Sequence, residues 1–143
     1  MNAQSASLDA LDGLRGVDTL CLLVASDDRP LSGLPGFVDW RLCGALSRQL
    51  KEHFFEGRVG EHLLIPGAPR VVPARIFVLG AGPLAEAQGD ALLSTAAQVL
   101  RRAQVASVAV GFSDGLGLDT SRVTKALEGA VSGPVVVLGP PKP

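Results

Sequence analysis

The sequence is poor in the residues that form disulfides and metal sites. Only two of its 143 residues are cysteines and only two are histidines. Cys21 lies in an apolar run and Cys43 in a helical pattern, so we expect both to be small buried side chains rather than a disulfide. His53 and His62 lack a close second histidine or cysteine in the sequence, which argues against zinc. We therefore predict neither a metal nor a cofactor.

The chain also lacks an excess of charge of either sign. Its 13 basic and 14 acidic residues leave a net charge of −1, and no stripe of lysine and arginine appears. A nucleic-acid partner is therefore not expected. Hydrophobic residues make up 47% of the chain and charged residues 19%. That composition is apolar for a lone soluble monomer, and it suggests that another subunit or a protein partner covers part of the surface.

Long hydrophobic runs are missing as well. The longest, Leu20–Ala25, is far too short to cross a bilayer. The N-terminus has no basic segment followed by an apolar one, so no secretory signal is indicated and we expect a cytoplasmic protein without membrane contact. The length predicts one domain over residues 1–143, in which residues 1–16 could be flexible and residues 139–143 form a proline-rich tail.

The hydrophobic pattern alternates between strands and helices. Apolar runs predict strands, at Val17–Ser26, Gly60–Pro66, Ala74–Gly80, Ala106–Phe112 and Gly133–Gly139. Apolar residues at helical spacing predict three helices, carried by Leu42, Leu46 and Leu50, by Leu92, Ala96 and Val99, and by Val123 and Leu127. The second and third strands are too close in sequence for a helical crossover, so they should be antiparallel neighbours. This order predicts a three-layer α/β fold with a mixed sheet of about five strands flanked by helices.

The first helix has recognisable boundaries in the sequence. The stretch "DRPLSGLPGF" before it contains prolines and glycines and is predicted to be a loop. Asp39 is a candidate N-cap. Gly57 is a candidate for the left-handed residue just beyond the helix end. Gly57 and Gly60 follow a helix and precede a strand, the reverse of a phosphate-binding loop, and no lysine accompanies them. We interpret both as turn glycines.

The turn "VLGAGP" follows a strand and precedes a helix, the setting in which helix N-termini bind anions. Its Gly80 and Gly82 match only part of a dinucleotide fingerprint, with Ala85 at the third glycine position. No acidic residue follows where a ribose partner is expected. A simple strand-to-helix turn is therefore the favoured interpretation.

The loop "GFSDGLGLD" offers Ser113, Asp114 and Asp119. A nucleophilic serine needs a base, and neither histidine is placed by the sequence to serve it. Asp114 and Gly115 form a common turn pair, and Asp119 is a candidate helix cap. Asp27 and its neighbour at position 28 close the first predicted strand and are interpreted as a solvent-facing strand end.

Taken together, "PLSGLPGFVDWRLCGALSRQLKEHFFEGRVGEHLLIP" and the later "RIFVLGAG" resemble the N-terminal domain of M17 leucine aminopeptidases. The matching positions include Phe55, Gly57, Gly60 and Glu61, the "HLLIP" strand, and the two glycines of the "GAG" turn. The "ALEGA" stretch at Ala126–Ala130 is similar to the helix that closes that domain. The resemblance spans roughly residues 17 to 130.

The resemblance implies an α/β unit similar to macro domains, which in the peptidases is not catalytic and contributes to hexamer architecture and, in some members, to regulation. The two-metal site of the family lies in a C-terminal domain whose signature has no counterpart here. The resemblance therefore implies no peptidase activity and no catalytic residues.

Two functions remain open from the sequence. The first is a non-catalytic domain that self-associates or docks on a protein. The alternative is a macro-like module that binds a small ligand, a nucleotide or ADP-ribose, through residues at the strand ends: Gly80, Ala81, Gly82, Ser113, Asp114 and Gly115. The asparagine pair of macro domains is absent, since the only asparagine is Asn2. An enzyme in its own right ranks third.

Overall fold

The computed structural model describes residues 3–139. Within them, six strands form one sheet in the order β1-β6-β5-β2-β4-β3. The strands are β1 Ala3–Ser5, β2 Thr19–Ala25, β3 His62–Pro66, β4 Arg75–Gly82, β5 Val108–Phe112 and β6 Val135–Gly139. The helices are α1 Leu8–Asp12, α2 Gly33–Arg41, α3 Ala45–Lys51, α4 Gly89–Arg102 and α5 Thr120–Leu127, with a short 3-10 helix at Leu84–Glu86. Gly139 ends β6, and the rest of the predicted proline-rich tail lies outside the described residues.

The sheet is mixed, as predicted. Every neighbouring pair of strands is parallel except β3 and β4, which are antiparallel and joined without a helix. The three-layer α/β fold is therefore confirmed. The sheet has six strands instead of about five because Ala3–Ser5 pairs with β6 at one edge.

Residues 1–16 carry no pattern of regular structure in the sequence, yet β1 and α1 lie there. The Ser7 hydroxyl accepts a hydrogen bond from the Ala10 amide at 3.0 Å and so caps the N-terminus of α1. Leu11, fully buried, attaches α1 to the core. A strand of three residues and a helix of five are too short to give a periodic signal.

Two apolar clusters cover the two faces of the sheet. One contains the inner sides of α4 and α5, with Leu93, Ala96, Leu100, Val123 and Leu127 among its members. The other contains α1, α2 and α3, with Leu11, Leu34, Val38, Leu46 and Leu50 among its members. Both faces of the central strands are thus buried, which explains why β2 is apolar at every position except Thr19.

The single helix predicted from Asp39 onward is in fact two helices. The stretch predicted as a loop holds the start of α2 at Gly33, and the chain breaks after α2 where Cys43 and Gly44 have φ angles of +56° and +82°. Asp39 does cap a helix, but the next one. Its Oδ1 atom accepts hydrogen bonds from the amides of Leu46 at 2.8 Å and Ser47 at 3.2 Å.

The role predicted for Gly57 is also corrected. Helix α3 ends at Lys51, so Gly57 does not follow it directly. Its φ of +82° is the left-handed value expected of a glycine, but a Cβ at this position would lie 3.0 Å from the Ser26 Cα atom. Gly57 therefore lets its segment pack closely on the end of β2. Cys21 is buried as predicted, whereas Cys43 is exposed because it sits at the break between two helices.

Candidate functional site

The predicted ligand residues lie at the carboxyl ends of neighbouring strands. Gly80, Ala81 and Gly82 end β4, and Ser113 follows β5. Strands β4 and β5 flank β2 on its two sides and run parallel to it, so the loops that follow them lie together beyond the carboxyl ends of these strands. Open α/β sheets bind ligands beyond the carboxyl ends of their strands. The sequence thus placed both loops in one region, on either side of the end of β2.

The glycine turn at the end of β4 is buried beneath the segment that precedes β3. The Gly80 amide donates to the Glu61 carbonyl at 2.9 Å, and the Gly82 amide donates to the Gly57 carbonyl at 2.8 Å. A Cβ at Gly80 would lie 2.1 Å from the Arg58 carbonyl oxygen. These two amides are therefore used within the protein, and the glycine at position 80 permits the close approach of another backbone segment.

The Glu61 side chain holds that covering segment in place. Its carboxylate accepts hydrogen bonds from the Arg58 amide at 2.8 Å and the Glu56 amide at 3.3 Å. The Arg58 guanidinium in turn lies 2.9 Å from the Glu56 carboxylate. The glutamate of the "GRVGE" stretch thus has a structural role in closing a loop over β4.

Ser113 is fully buried and joins β5 to β2. Its amide donates to the Leu23 carbonyl at 2.9 Å, and its Oγ atom accepts a hydrogen bond from the Ala25 amide at 3.1 Å. Ala25 is the last residue of β2. Ser113 therefore fixes the strand ends relative to each other.

Asp28 and Ser32 connect three elements on the other side of this region. The sequence places Asp28 at a solvent-facing strand end, but its side chain is buried. Its carboxylate accepts hydrogen bonds from the Ser32 amide and hydroxyl, each at 2.9 Å, and the Ser32 Oγ atom accepts from the Asp114 amide at 3.0 Å. Asp27, which is exposed, accepts from the Leu84 amide at 3.0 Å.

An aromatic side chain that sequence reasoning missed stands beside this region. Trp40, the only tryptophan, lies on α2 and is 72% exposed. Trp40 lines two open cavities of about 480 and 580 Å³, which also share Leu31 and Gly36. The smaller also contacts Phe37 and Asp114. Of the six predicted ligand residues only Asp114 lines this cavity. Tryptophan side chains are highly buried on average, and the sequence neighbours Asp39 and Arg41 gave no signal that Trp40 is exposed.

The buried cysteine is not a reactive group in this fold. Burial raises the pKa of the Cys21 thiol to about 12, so the thiol is neutral at physiological pH. Among residues 3–139, no group of three His, Cys, Asp or Glu side chains is placed to hold a metal ion. None of the described helices is both long and apolar enough to traverse a bilayer.

The sequence matches a model of the N-terminal domain of the cytosol aminopeptidase family over residues 21–134. The chain belongs to this family. The match covers the sheet core, the strand-end region and helices α2 to α5, so the fold described above is the fold of this aminopeptidase N-terminal domain. No curated protein sequence matches the chain.

Solved structures resemble this aminopeptidase N-terminal domain at low sequence identity. A mutant of tomato leucine aminopeptidase superposes with a TM-score of 0.68 and 19% identity, over 99% of this chain and 32% of that one. The present chain therefore spans about a third of that enzyme. The macrodomain of Mycobacterium tuberculosis DarG superposes with a TM-score of 0.65 and 20% identity, over 98% of both chains.

A third structure, the bottromycin maturation enzyme BotP in complex with Mn, has a TM-score of 0.50 and 20% identity, over 83% of this chain and 26% of that one. At these identities the likeness establishes the fold alone. It confirms a macro-like architecture for the aminopeptidase N-terminal domain.

Proposed function

We propose that this domain acts without catalysis, as a protein-interaction or oligomer-scaffolding unit. One observation carries the proposal. Among residues 3–139, four of the five large apolar side chains that are exposed lie within residues 54–72, around strand β3 at the edge of the sheet. We call these four side chains the β3 surface; they are Phe54, Val59, Leu64 and Val72, between 43% and 78% exposed.

Contiguous exposed apolar patches are typical of surfaces that another protein covers, and the sequence proximity of these four side chains to an edge strand supports such a patch here. They cost free energy in water, and burial of apolar area at an interface recovers it. The segment before β3 is also firmly held, since Glu61 bonds two of its amides and the glycines of β4 bond its carbonyls. A surface that is already ordered loses little conformational entropy when a partner binds.

The polar groups at the strand ends support a non-catalytic role. The Ser113 hydroxyl, the Asp28 carboxylate and the Glu61 carboxylate each accept hydrogen bonds from backbone amides. Each therefore holds one element against another. We extend the proposal to a cytoplasmic location, which the description of the family as cytosol aminopeptidases supports.

Size-exclusion chromatography with light scattering tests this proposal. We expect the purified chain to elute as an oligomer, or as a complex with a protein that copurifies. Val59→Lys should weaken the assembly because it places a charge in the β3 surface. Ser94→Lys adds the same charge on an exposed position of α4 and serves as the matched control. A monomer with no bound protein, or equal effects of both variants, contradicts the proposal.

A second function is favoured by the cavity beside Trp40. Its indole and the Phe37 ring could stack on a planar base, and the Asp114 carboxylate could accept hydrogen bonds from a ribose hydroxyl or a base amino group. The same carboxylate would repel a phosphate placed next to it. We therefore propose, as the alternative, a macro-like module that binds a nucleoside-containing ligand such as a nucleotide or ADP-ribose.

Trp40 provides the readout for this alternative, since it is the only tryptophan. Titration with ADP-ribose, AMP and adenosine should quench its fluorescence and raise the melting temperature. At 100 times the dissociation constant a ligand stabilises the fold by about 2.7 kcal/mol. Trp40→Ala should remove the thermal shift. If no ligand of this class shifts the melting temperature, the alternative is wrong.

A further inference from the structure

Strand β3 offers a row of backbone groups to a further strand. Among the described residues it is the outermost strand next to β4. At its two ends the Gly80 amide bonds the Glu61 carbonyl and the Gly67 amide bonds the Ala74 carbonyl, both at 2.9 Å. Hydrogen bonding in an antiparallel ladder alternates along each strand, so the odd-numbered residues of β3 face β4. The amides of His62 and Leu64 therefore point outward.

The side chains along this outer row are exposed and include no acidic residue, lysine or arginine. His62, Leu64 and Pro66 are exposed, whereas Leu63 and Ile65 turn to the other face and pack against the core that contains α2 and α3. Exposed edge strands are commonly protected by lysine or by inward-pointing charges. The five residues of β3 include no Lys, Arg, Asp or Glu. Pro66 removes only one outward donor, at the end of the strand.

We propose that β3 pairs with β3 of a second copy of this chain, antiparallel, about a two-fold axis at Leu64. In this register all five residues of each strand overlap. The Leu64 amide and carbonyl of each copy bond those of the other, and each His62 amide donates to the Pro66 carbonyl of the second copy. Both outward donors are then used, and the proline takes part only as an acceptor.

The chemistry of the strand favours a second copy as the occupant. An isologous interface places each residue opposite one from the same sequence, so a charged strand would bring like charges together. Here the two exposed Leu64 side chains face each other and each His62 faces a proline. The pairing joins the two sheets into one continuous sheet. This inference rests on the proposed function and names the partner of the β3 surface.

Proline substitution tests the pairing with little risk to the fold. Because the Leu64 amide points away from β4, Leu64→Pro removes no bond of the β3–β4 ladder. We expect light scattering to report a dimer for the parent chain and for Leu64→Val, which keeps the amide and an apolar side chain, and a monomer for Leu64→Pro. Leu64→Lys should also give a monomer. If Leu64→Pro lowers the melting temperature, Leu64→Lys is the variant that tests the pairing.

Cysteine crosslinking tests the register. In a Cys43→Ser background, which removes the exposed native thiol, Leu64→Cys should form a disulfide-linked dimer under mild oxidation. Gln4→Cys is the matched control, because Gln4 is exposed on β1 at the opposite edge of the sheet. Crosslinking of Gln4→Cys instead of Leu64→Cys overturns the inference.

The outcomes separate this inference from the proposed function. If the parent chain is a dimer and both Leu64→Pro and Leu64→Lys remain dimers, the inference is wrong while self-association stands. If the parent chain is a monomer that binds a different protein through the β3 surface, the inference is wrong and the interaction role stands. A monomer without any partner contradicts both.

Discussion

At the scale of single residues, the two cysteines differ most in their surroundings. Cys43 is exposed at a helix break, and its Sγ atom accepts a hydrogen bond from the Arg70 guanidinium. Cys21 is fully buried in the middle of β2, between strands β4 and β5. The sequence placed both in apolar or helical patterns. The sequence pattern could not show that only one of the two cysteines is buried, because the helix break that exposes Cys43 depends on how Asp39 caps α3.

Burial of Cys21 leads to a prediction about alkaline pH. Its pKa is raised from 9.0 to about 12, so the unfolded chain releases this proton first as the pH rises. The stability that this group contributes is fully present below pH 9 and is lost as the pH rises towards 12. Urea denaturation should therefore show a loss of up to about 1.4 kcal/mol per pH unit in that range from this residue. Cys21→Ala should show a shallower pH dependence, and an unchanged slope would contradict the assignment.

Ser113 gives a second prediction at this scale. Ser113→Ala leaves the buried Ala25 amide without its acceptor, which should lower the free energy of unfolding by about 1–3 kcal/mol. The exposed Ser94 on α4 is the control, since Ser94→Ala should change the free energy by less than about 0.5 kcal/mol. Equal effects in urea denaturation would mean that the Ser113 hydroxyl does not hold β2 and β5 together.

The sequence drew attention to Ser113 but suggested a ligand contact. The amide that its hydroxyl binds lies 88 positions earlier in the chain. The spacing and periodicity of residues in the sequence do not predict a contact between positions so far apart. The same holds for Gly80 and Gly82, whose amides bond the carbonyls of Glu61 and Gly57, 19 and 25 positions earlier. Their role in binding a ligand stays a prediction.

At the scale of elements, the sequence predicted five of the six strands and two of the helices close to where they lie. It missed the start of α2 because Pro35 and two glycines suggested a loop. Proline is tolerated in the first turn of a helix, where the amide has no partner within the helix. Pro35 lies in that first turn, in a helix that starts at Gly33. The short strand β1 depends on pairing with β6, which lies at the far end of the sequence.

The cap of α3 can be tested directly. Asp39→Ala removes the acceptor for the Leu46 and Ser47 amides, and we expect a loss of about 1 kcal/mol in urea denaturation. Glu52→Ala, at the exposed C-terminal end of the same helix, is the control and should have little effect. A neutral Asp39→Ala would show that the break between α2 and α3 forms without this carboxylate.

The contact between β4 and the segment that covers it gives another prediction. A Cβ at Gly80 would meet the Arg58 carbonyl oxygen and the carbonyl carbon of Gly57 at 2.1 and 2.5 Å, both of them backbone atoms. Gly80→Ala should therefore displace this segment and lower the free energy of unfolding by about 1–3 kcal/mol.

Gly129→Ala is the matched control for that variant. Position 129 has no atoms within 4 Å of an added Cβ. An alanine at position 129 should leave the free energy of unfolding unchanged or raise it by about 0.4–1 kcal/mol, because alanine restricts the conformations of the unfolded chain. Chemical denaturation of both variants checks the pair, and a neutral Gly80→Ala would contradict the packing described.

At the scale of the whole molecule, the fold follows from a pattern that the sequence shows clearly. Buried strands alternate with amphipathic helices, and the family match and the structural likeness agree with that pattern. Function is harder to predict, because it depends on which apolar side chains stay exposed after folding. Leu64 and Leu63 are neighbours with the same side chain, yet Leu64 is exposed whereas Leu63 is partly buried against the core. The exposure of Leu64 depends on β3 being an edge strand without a helix over that face.

Hydrogen–deuterium exchange of the chain, measured from dilute to concentrated solution, tests the central claim that the β3 surface is a protein interface. The account predicts that peptides within residues 54–72 become protected as the concentration rises, while peptides from the exposed side of α4 exchange at an unchanged rate. Protection confined to α4, to the Trp40 region or to β1 would contradict it, and so would exchange that is the same at every concentration when no other protein is bound.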